Sequence, residues 1–319
     1  MTAAITKAIG AELDRFGEYY TNTFTSHIPL LDRVFKYIIQ QKGKQLRPAL
    51  VLLCARLGGA INEKTYRAAL FVEMLHTSSL VHDDLVDNSM KRRNAFSINA
   101  LWKERGAVLT GDNIFTKSIL LLLDNDDHEV LKIFSQAIRR VIEGELLQLD
   151  KSRKLNLDEA VYFDIIKNKT ATLLAAACAA GAATTFENNI DTLYQFGEKT
   201  GIAFQIKDDI LDYGSDDIGK PTGNDIQEKK MTLPLIYTIN TASAMERKRL
   251  INIIKHKNGN GQMTSYIIDA VKQAGGIAYA SEKMLTYSNE ALQLLHTFSP
   301  SDTRYAMEEL VQFVTNRTH

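Results

Sequence analysis

The stretch His82-Asp83-Asp84-Leu85-Val86-Asp87 ends a mostly apolar run, residues 68–86, and places three carboxylates within five positions. If this run is helical, Asp83 and Asp87 lie on one face, about 6 Å apart along the axis. Like charges this close repel each other, and the negative end of the helix dipole adds to the repulsion. The pattern therefore predicts that cations neutralise the acids, and the hard carboxylate oxygens favour Mg²⁺.

A second stretch, Asp208-Asp209-Ile210-Leu211-Asp212, repeats the spacing Asp-Asp-x-x-Asp at the end of another helix-like apolar run. We call each such segment an acidic pentad. One pentad alone is also typical of a solvated helix face. Two pentads, each followed by basic residues, favour a pair of facing clusters that hold divalent ions around one polyanion. The expected polyanionic ligand is a diphosphate.

Composition sets the class of protein. The chain has 319 residues, is 45% hydrophobic and 24% charged, and carries 38 basic and 38 acidic residues. A net charge of zero argues against a general nucleic-acid binder. Only five prolines interrupt a pattern dominated by helical periodicity. We therefore predict an all-α protein, a single domain over residues 1–319, with helices packed around a central cavity.

Charged residues near the start of the sequence and the two cysteines indicate the cellular location of the protein. Acidic and basic residues at Glu12, Asp14 and Arg15 argue against a signal peptide. The most apolar run, residues 171–186, is too short to span a bilayer, so no transmembrane segment is expected. Cys54 and Cys178 lack metal-ligand spacing and are read as free thiols in a reducing cytoplasm.

Basic residues gather near predicted helix starts and after the pentads, where they suit phosphate oxygens. Pro48 is expected at the first position of a helix, with Lys44 and Arg47 in its entry turn. Gly111-Asp112 is expected to open another helix. The cationic candidates are Lys44, Arg47, Arg92, Arg93, Lys169, Lys220 and Lys230. Solvated loops are the alternative reading of each cluster taken alone.

Polar residues on the predicted helices complete the set. His76 lies seven positions before Asp83 and shares its face, although a lone histidine is more often a core residue. Thr170 follows Lys169, and Gln205 precedes the second pentad. Glu145 and Gln148, three positions apart, reach either a cavity or the surface.

Taken in order, these motifs resemble those of the trans-isoprenyl diphosphate synthases. The matching segments are Gly43-Lys44-x-x-Arg47-Pro48, the first pentad with Arg92-Arg93, Lys169-Thr170, Phe204-Gln205 with the second pentad, and Gly219-Lys220 through Thr232-Leu233-Pro234. The resemblance covers about two-thirds of the chain. Two departures, Lys42 and Asn94, stand where that family often has glycine, and neither removes a charged group.

The resemblance implies an isoprenoid-synthase fold, a homodimer and a Mg²⁺-dependent 1'-4 condensation of isopentenyl diphosphate with an allylic diphosphate such as farnesyl or geranyl diphosphate. It assigns about two to three Mg²⁺ ions to Asp83, Asp87 and Asp208, with the other pentad acids, Asp84, Asp209 and Asp212, in support. Around the allylic diphosphate it places Arg92, Lys169, Thr170, Gln205, Lys220 and Lys230. Around isopentenyl diphosphate it places Lys44, Arg47, His76 and Arg93. It leaves open release of the apolar product at a membrane surface.

Product length is expected to depend on the helix below Asp83. Short-chain members of the family carry a bulky aromatic residue four or five positions before the first aspartate, where this chain has Ser79 and Ser78, with Leu75 further down. Each helical turn adds about 5.4 Å of depth, so we expect a product of about C30 to C50. On this reading Ser78→Phe shortens the product.

Four alternatives compete with this prediction. The chain could instead make geranylgeranyl or farnesyl diphosphate. It could be a catalytic subunit that needs a small partner, or a non-catalytic partner subunit, which typically lacks one or both pentads. A terpene cyclase would have no use for the segment from Lys44 to Arg47.

Overall fold

The structure is a computed structural model that describes residues 2–41, 43, 45–92, 95–155, 158–186, 188–214, 223–256 and 261–316, apart from the side chains of residues 152–154 and 224. The described helices are α1 (Ala3–Thr23), α2 (Pro29–Gln40), α3 (Leu46–Gly58), α4 (Glu63–Val86), α5 (Ile98–Leu123), α6 (His128–Lys154), α7 (Glu159–Ile166), α8 (Thr172–Ala182), α9 (Ile190–Leu211), α10 (Asn224–Gln227), α11 (Leu233–Thr241), α12 (Ala244–His256), α13 (Gly261–Gln273), α14 (Gly276–Leu295) and α15 (Asp302–Asn316). A π-helical turn, Lys167–Ala171, joins α7 to α8. The all-α prediction is confirmed.

Strands are rare in the described ranges. Two short ones, β1 (Lys91–Arg92) and β2 (Ala95–Phe96), pair antiparallel directly after α4, with Lys91 opposite Phe96. The hydroxyl of Tyr37 donates to the carbonyl of Phe96 at 2.6 Å and ties the ribbon to α2. This ribbon, which sequence periodicity did not predict, fixes the backbone that carries Arg92.

Helix α4 has clear start and stop signals. Asn62 caps it: its side chain accepts from the Thr65 N–H at 3.1 Å, and the Thr65 hydroxyl accepts from the Asn62 N–H at 3.3 Å. Such a capping box satisfies two backbone donors at the helix start. The helix ends at Val86, with Asp87 as its C-cap, so the predicted helix over residues 68–86 is confirmed and starts five residues earlier.

Two helix starts were predicted wrongly. Helix α3 begins at Leu46, so Pro48 occupies its third position, where the first turn still tolerates a missing N–H. Gly111 and Asp112 lie inside α5 rather than at its start. A Cβ on Gly111 would lie within 2.6 Å of two His82 ring atoms, so this glycine serves the close approach of α4 and α5.

The chain divides into two compact units: residues 1–135, 176–194 and 301–307 form the first, and residues 136–175, 195–300 and 308–319 form the second. In the first unit Cys54 and Cys178 are both fully buried free thiols, as expected, and burial raises the pKa of Cys54 well above its ordinary value. Core side chains of the second unit come mainly from α9, α11, α12, α13 and α14. The single domain over residues 1–319 stays a prediction.

The described residues include one helix with the apolar character of a membrane span. By length and composition alone, one helix, α5, is apolar enough to cross a bilayer, whereas the sequence singled out residues 171–186 as the most apolar run. The core helices of soluble proteins meet the same criterion. Helix α8 lies within residues 171–186 and is buried along its length.

Candidate active site

The first acidic pentad lies at the end of α4, in the first unit. The Asp87 N–H donates to the Asp83 carbonyl at 2.9 Å, so one helical turn separates the two residues, as predicted. Both are exposed, whereas Asp84 is only 3% exposed. The pentad therefore presents two outer carboxylates to solvent and turns one inward.

The inward carboxylate of Asp84 binds Arg92 on β1. The Arg92 Nε lies 2.8 and 2.9 Å from the two Asp84 oxygens, and Nη2 lies 2.7 Å from Oδ1. Guanidinium and carboxylate are matched in shape, which makes such a pair strong and well oriented. Asp84 thus fixes the direction of an arginine that the sequence assigned to diphosphate binding.

A cavity of the first unit, which we call the first cavity, adjoins this pair. It is lined by Tyr20, Ile38, Gln41, Gly43, Gln45, Glu73, His76, Thr77, Leu80, Val81, Asp84, Arg92, Ser97 and Ile98. Three candidate residues, His76, Asp84 and Arg92, therefore meet in one place. Arg47 is half-buried and is not among the described residues that line this cavity. The candidates Lys44 and Arg93 lie outside the described residues.

The proposed chain-length residues lie on the same helix with different surroundings. The Ser78 hydroxyl is buried and donates to the Gly111 carbonyl at 2.9 Å, against α5. The Ser79 hydroxyl donates to the His76 carbonyl of its own helix at 2.9 Å, and Ser79 is half-buried. Leu75 is 8% exposed. The two serines thus face different neighbours.

The second acidic pentad lies at the end of α9, in the second unit, and divides in the same way. Asp208 is exposed and Asp209 is 5% exposed. Asp212, just beyond the helix, accepts from the Asp225 N–H at 3.2 Å through its carboxylate. An exposed leading acid followed by a buried one is therefore common to both pentads.

A chain of hydrogen bonds connects the buried Asp209 to its surroundings. The Tyr162 hydroxyl donates to Oδ2 at 2.7 Å, and the Gln205 amide donates to Oδ1 at 2.9 Å. The Thr170 hydroxyl in turn donates to the Gln205 carbonyl oxygen at 2.8 Å. Burial and the neighbouring Asp225 raise the pKa of Asp209 to about 7. The hydrogen bonds from Gln205 and Tyr162 oppose this rise, because they favour the ionised form. Tyr162 was missed by the sequence analysis.

Carboxylates hold two candidate lysines of this unit, Lys169 and Lys230. Lys169 Nζ lies 2.8 and 2.9 Å from the two Glu145 oxygens. Lys230 lies 2.5 Å from Glu228 and 3.4 Å from Asp225. Partial burial opposes its charge, yet the two carboxylates raise the pKa of Lys230 above its ordinary value. Both candidates are therefore positioned cations.

These groups meet in a cavity of the second unit, the second cavity. It is lined by Gln148, Lys151, Val161, Tyr162, Ile165, Ile166, Lys169, Thr170, Gln205, Asp208, Asp209, Asp225, Lys230, Met231, Thr232 and Ile236. Cations, carboxylates and hydroxyls thus share one cavity with an apolar wall. Gln148 reaches it, as one of the two sequence readings suggested, and Lys220 lies outside the described residues.

The donor set suits Mg²⁺ better than a metal enclosed by protein. Within the described ranges, no group of three or more His, Cys, Asp or Glu side chains is placed to hold an ion. Mg²⁺ usually takes one or two carboxylates and completes its shell with water and substrate phosphate. The exposed carboxylates of Asp83, Asp87 and Asp208 fit that mode.

Comparisons with known proteins agree with this geometry. Residues 28–271 match the family model described as polyprenyl synthetase. The chain is 34% identical, over 90% of each chain, to a short chain isoprenyl diphosphate synthase of Methanothermobacter thermautotrophicus. It is also 34% identical, over 94% of this chain and 93% of the relative, to an all-trans-nonaprenyl-diphosphate synthase (geranyl-diphosphate specific) of Rhodobacter capsulatus.

A solved structure gives a match in three dimensions. The polyprenyl synthase of Caulobacter crescentus, complexed with calcium and isoprenyl diphosphate, superposes with a TM-score of 0.92 at 32% identity. The match covers 99% of this chain and 98% of that one. The helical architecture and the family match therefore point the same way.

Proposed function

Because the chain belongs to the polyprenyl synthetase family and is therefore a prenyltransferase, we propose that it condenses isopentenyl diphosphate with an allylic diphosphate. The condensation is head-to-tail (1'-4) and yields an all-trans polyprenyl diphosphate. Farnesyl or geranyl diphosphate is the expected primer. The observation that carries the proposal is the second cavity, where positioned cations adjoin an apolar wall.

We assign the metal ligands to the exposed acids. Asp83, Asp87 and Asp208 would hold about two to three Mg²⁺ ions, which stabilise charge on the departing diphosphate. The Caulobacter structure, which is complexed with calcium and isoprenyl diphosphate, supports a divalent ion in this family. The remaining pentad acids, Asp84, Asp209 and Asp212, hold neighbouring groups in place.

The protein's own cations and hydrogen-bond donors bind the two diphosphates. For the allylic diphosphate we propose Arg92, Lys169, Thr170, Gln205, Lys220 and Lys230. For isopentenyl diphosphate we propose Lys44, Arg47, His76 and Arg93. Binding both substrates next to each other converts an encounter in solution into a reaction within one site.

The apolar wall of the second cavity protects the reaction. When the allylic carbon–oxygen bond breaks, the carbocation is attacked by the double bond of isopentenyl diphosphate, and a proton is then lost to the leaving diphosphate. Water would quench that cation. Side chains of Val161, Ile165 and Ile236 line the cavity and keep water away from the reacting carbon.

We propose a product of about C30 to C50, in the range of quinone side-chain precursors. Small residues at Ser78 and Ser79 support this length. Names among the relatives run from short chain to nonaprenyl, so geranylgeranyl or farnesyl diphosphate synthesis is the second candidate. A non-catalytic partner role is disfavoured because both pentads are present.

For assembly and location we propose a cytoplasmic homodimer. Apolar side chains exposed on α6, Ile142, Leu146 and Leu149, follow the i, i+4, i+7 spacing of one helix face. A second copy of the chain would cover such a face. The apolar product could leave at a membrane surface, and no nucleic acid is involved.

Incubation of the purified chain with farnesyl diphosphate, radiolabelled isopentenyl diphosphate and Mg²⁺ tests the function. We expect polyprenyl products of about C30 to C50 by thin-layer chromatography, and none when a chelator removes the metal. Asp83→Ala should abolish turnover, and near-normal turnover would exclude its metal role. Products of C15 or C20 would establish the second candidate, while absence of product with every primer would refute the proposal.

A further inference from the structure

The π-helical turn at Lys167–Ala171 carries two of the diphosphate-binding candidates, Lys169 and Thr170. A π turn is rare and less regular than the α-helix, and it often occurs at functional sites. It widens the helix locally, so neighbouring helices must leave room for its backbone. Two glycines in the second unit supply that room.

The first glycine is Gly144, in the middle of α6. An added Cβ would lie 2.9 Å from the backbone nitrogen of Lys169 and 2.9 Å from the Cβ of Asn168. Contacts under 3.0 Å force something to move, and a backbone atom moves only with its turn. Any larger residue at this position would therefore displace the segment that carries Lys169.

The second glycine is Gly201, on α9. An added Cβ would lie 2.6 Å from the Cα and 2.9 Å from the Cβ of Ala171. Ala171 is the last residue of the π turn and is fully buried, so its backbone cannot shift outward into solvent. Gly201 thus limits the turn at its end as Gly144 limits it at its centre.

Each glycine has a polar neighbour on its own helix that binds a side chain of the turn. Glu145 follows Gly144 and pairs with Lys169 at 2.8 Å. Gln205 lies one helical turn after Gly201 and accepts from the Thr170 hydroxyl at 2.8 Å. Each helix therefore approaches the turn closely and also fixes the direction of one of its functional groups.

We propose that Gly144 and Gly201 are positioning residues for the allylic diphosphate, because they set the position of the π turn that presents Lys169 and Thr170. This inference rests on the proposed function of the second cavity, which Lys169 and Thr170 line. The inference predicts a different effect on each substrate. Displacement of the turn weakens binding of the allylic diphosphate, whereas the residues proposed for isopentenyl diphosphate lie elsewhere in the chain.

The test compares Gly144→Ala and Gly201→Ala with the wild type in steady-state kinetics. We expect KM for farnesyl diphosphate to rise at least tenfold, towards the roughly 10²-fold loss that a 1 Å misplacement can cause. KM for isopentenyl diphosphate should change less than about twofold. Gly17→Ala is the matched control, because an added Cβ on this α1 glycine meets nothing within 4 Å, and its kinetics should equal those of the wild type.

A double-mutant cycle separates positioning from general damage. If Gly144 acts through Lys169, then Gly144→Ala should raise KM for farnesyl diphosphate much less in the Lys169→Ala background than in the wild type. Should Gly144→Ala fail to fold, Gly144→Ala/Asn168→Gly replaces it, because that variant removes the Asn168 Cβ which the new methyl group would meet. The same selective rise in KM is expected of it.

Two results would overturn the inference. One is an unchanged KM for farnesyl diphosphate in folded alanine variants. The other is an equal loss for both substrates, with full additivity in the cycle, which would indicate a merely structural role. Failure of the proposed function looks different, since the wild type itself would then form no product.

Discussion

At the residue scale, the two aspartates that open each pentad have different surroundings. Asp83 and Asp208 are exposed, whereas Asp84 and Asp209 are buried and bonded to protein groups. Asp84 holds an arginine, and Asp209 holds a tyrosine and a glutamine. One protein side chain binds the Asp84 carboxylate and two bind the Asp209 carboxylate. We therefore expect the buried acids to position their neighbours and the exposed acids to bind the metal.

This difference can be tested with two neighbouring isosteric substitutions. Asp84→Asn should lower the free energy of unfolding by about 2 kcal/mol, because it leaves Arg92 unpaired; the cost stays below that of a fully buried pair since the Arg92 side chain is 32% exposed. Asp83→Asn should change the free energy of unfolding by less than about 0.5 kcal/mol and yet abolish turnover. Urea titration and product formation measure the two effects, and equal destabilisation by both would contradict the division.

Local spacing predicted the acids but not their partners. Asp83 and Asp87 were recognisable because helical periodicity relates residues four positions apart. Tyr162 lies 47 positions from Asp209, and Glu145 lies 24 positions from Lys169. No short-range pattern records such pairs, because they depend on how helices pack. The sequence therefore predicted the charged groups, while only the structure showed that Lys169 and Lys230 are paired with carboxylates.

At the scale of elements, α4 and α5 pack closely through small residues. Ser78 donates to the backbone of Gly111, and Gly111 has no space for a Cβ beside His82. Glycine in the sequence suggested a helix start at this point, but here it permits two helices to approach. Where the sequence has a run of polar residues, as at residues 124–127, the structure places the boundary between α5 and α6.

The contact between α4 and α5 changes the choice of test for product length. Ser79 lies four positions before Asp83 and Leu75 four before Ser79, so helical periodicity stacks them below the metal end. Ser79→Phe should therefore shorten the product, read by chromatography. Ser78→Phe, an otherwise matched change, should lower stability by about 1–3 kcal/mol, because its ring would press on the α5 backbone. An unchanged product from folded Ser79→Phe would show that other residues limit the length.

At the scale of the whole molecule, exposed apolar side chains are concentrated on α5 and α6. On α5, Leu109 is 69% exposed, and Leu120 and Leu123 follow on the same face. On α6, Leu146 is 61% exposed. Scattered apolar residues are normal on a surface, but a helix face lined with them is typical of an association site. Neither composition nor net charge could show this, because both average over the chain.

The proposed homodimer would bury these faces, and sedimentation can test it. We expect the wild type to sediment with about twice the chain mass of 35.8 kDa. Leu109→Asp and Leu146→Asp should each weaken association at least tenfold, since an unpaired charge within an interface costs on the order of 2 kcal/mol or more. Met245→Asp is the control: Met245 is also apolar and 82% exposed, but it lies on α12, so association should not change. A monomeric wild type, or leucine variants that associate as it does, would show that these faces serve another purpose.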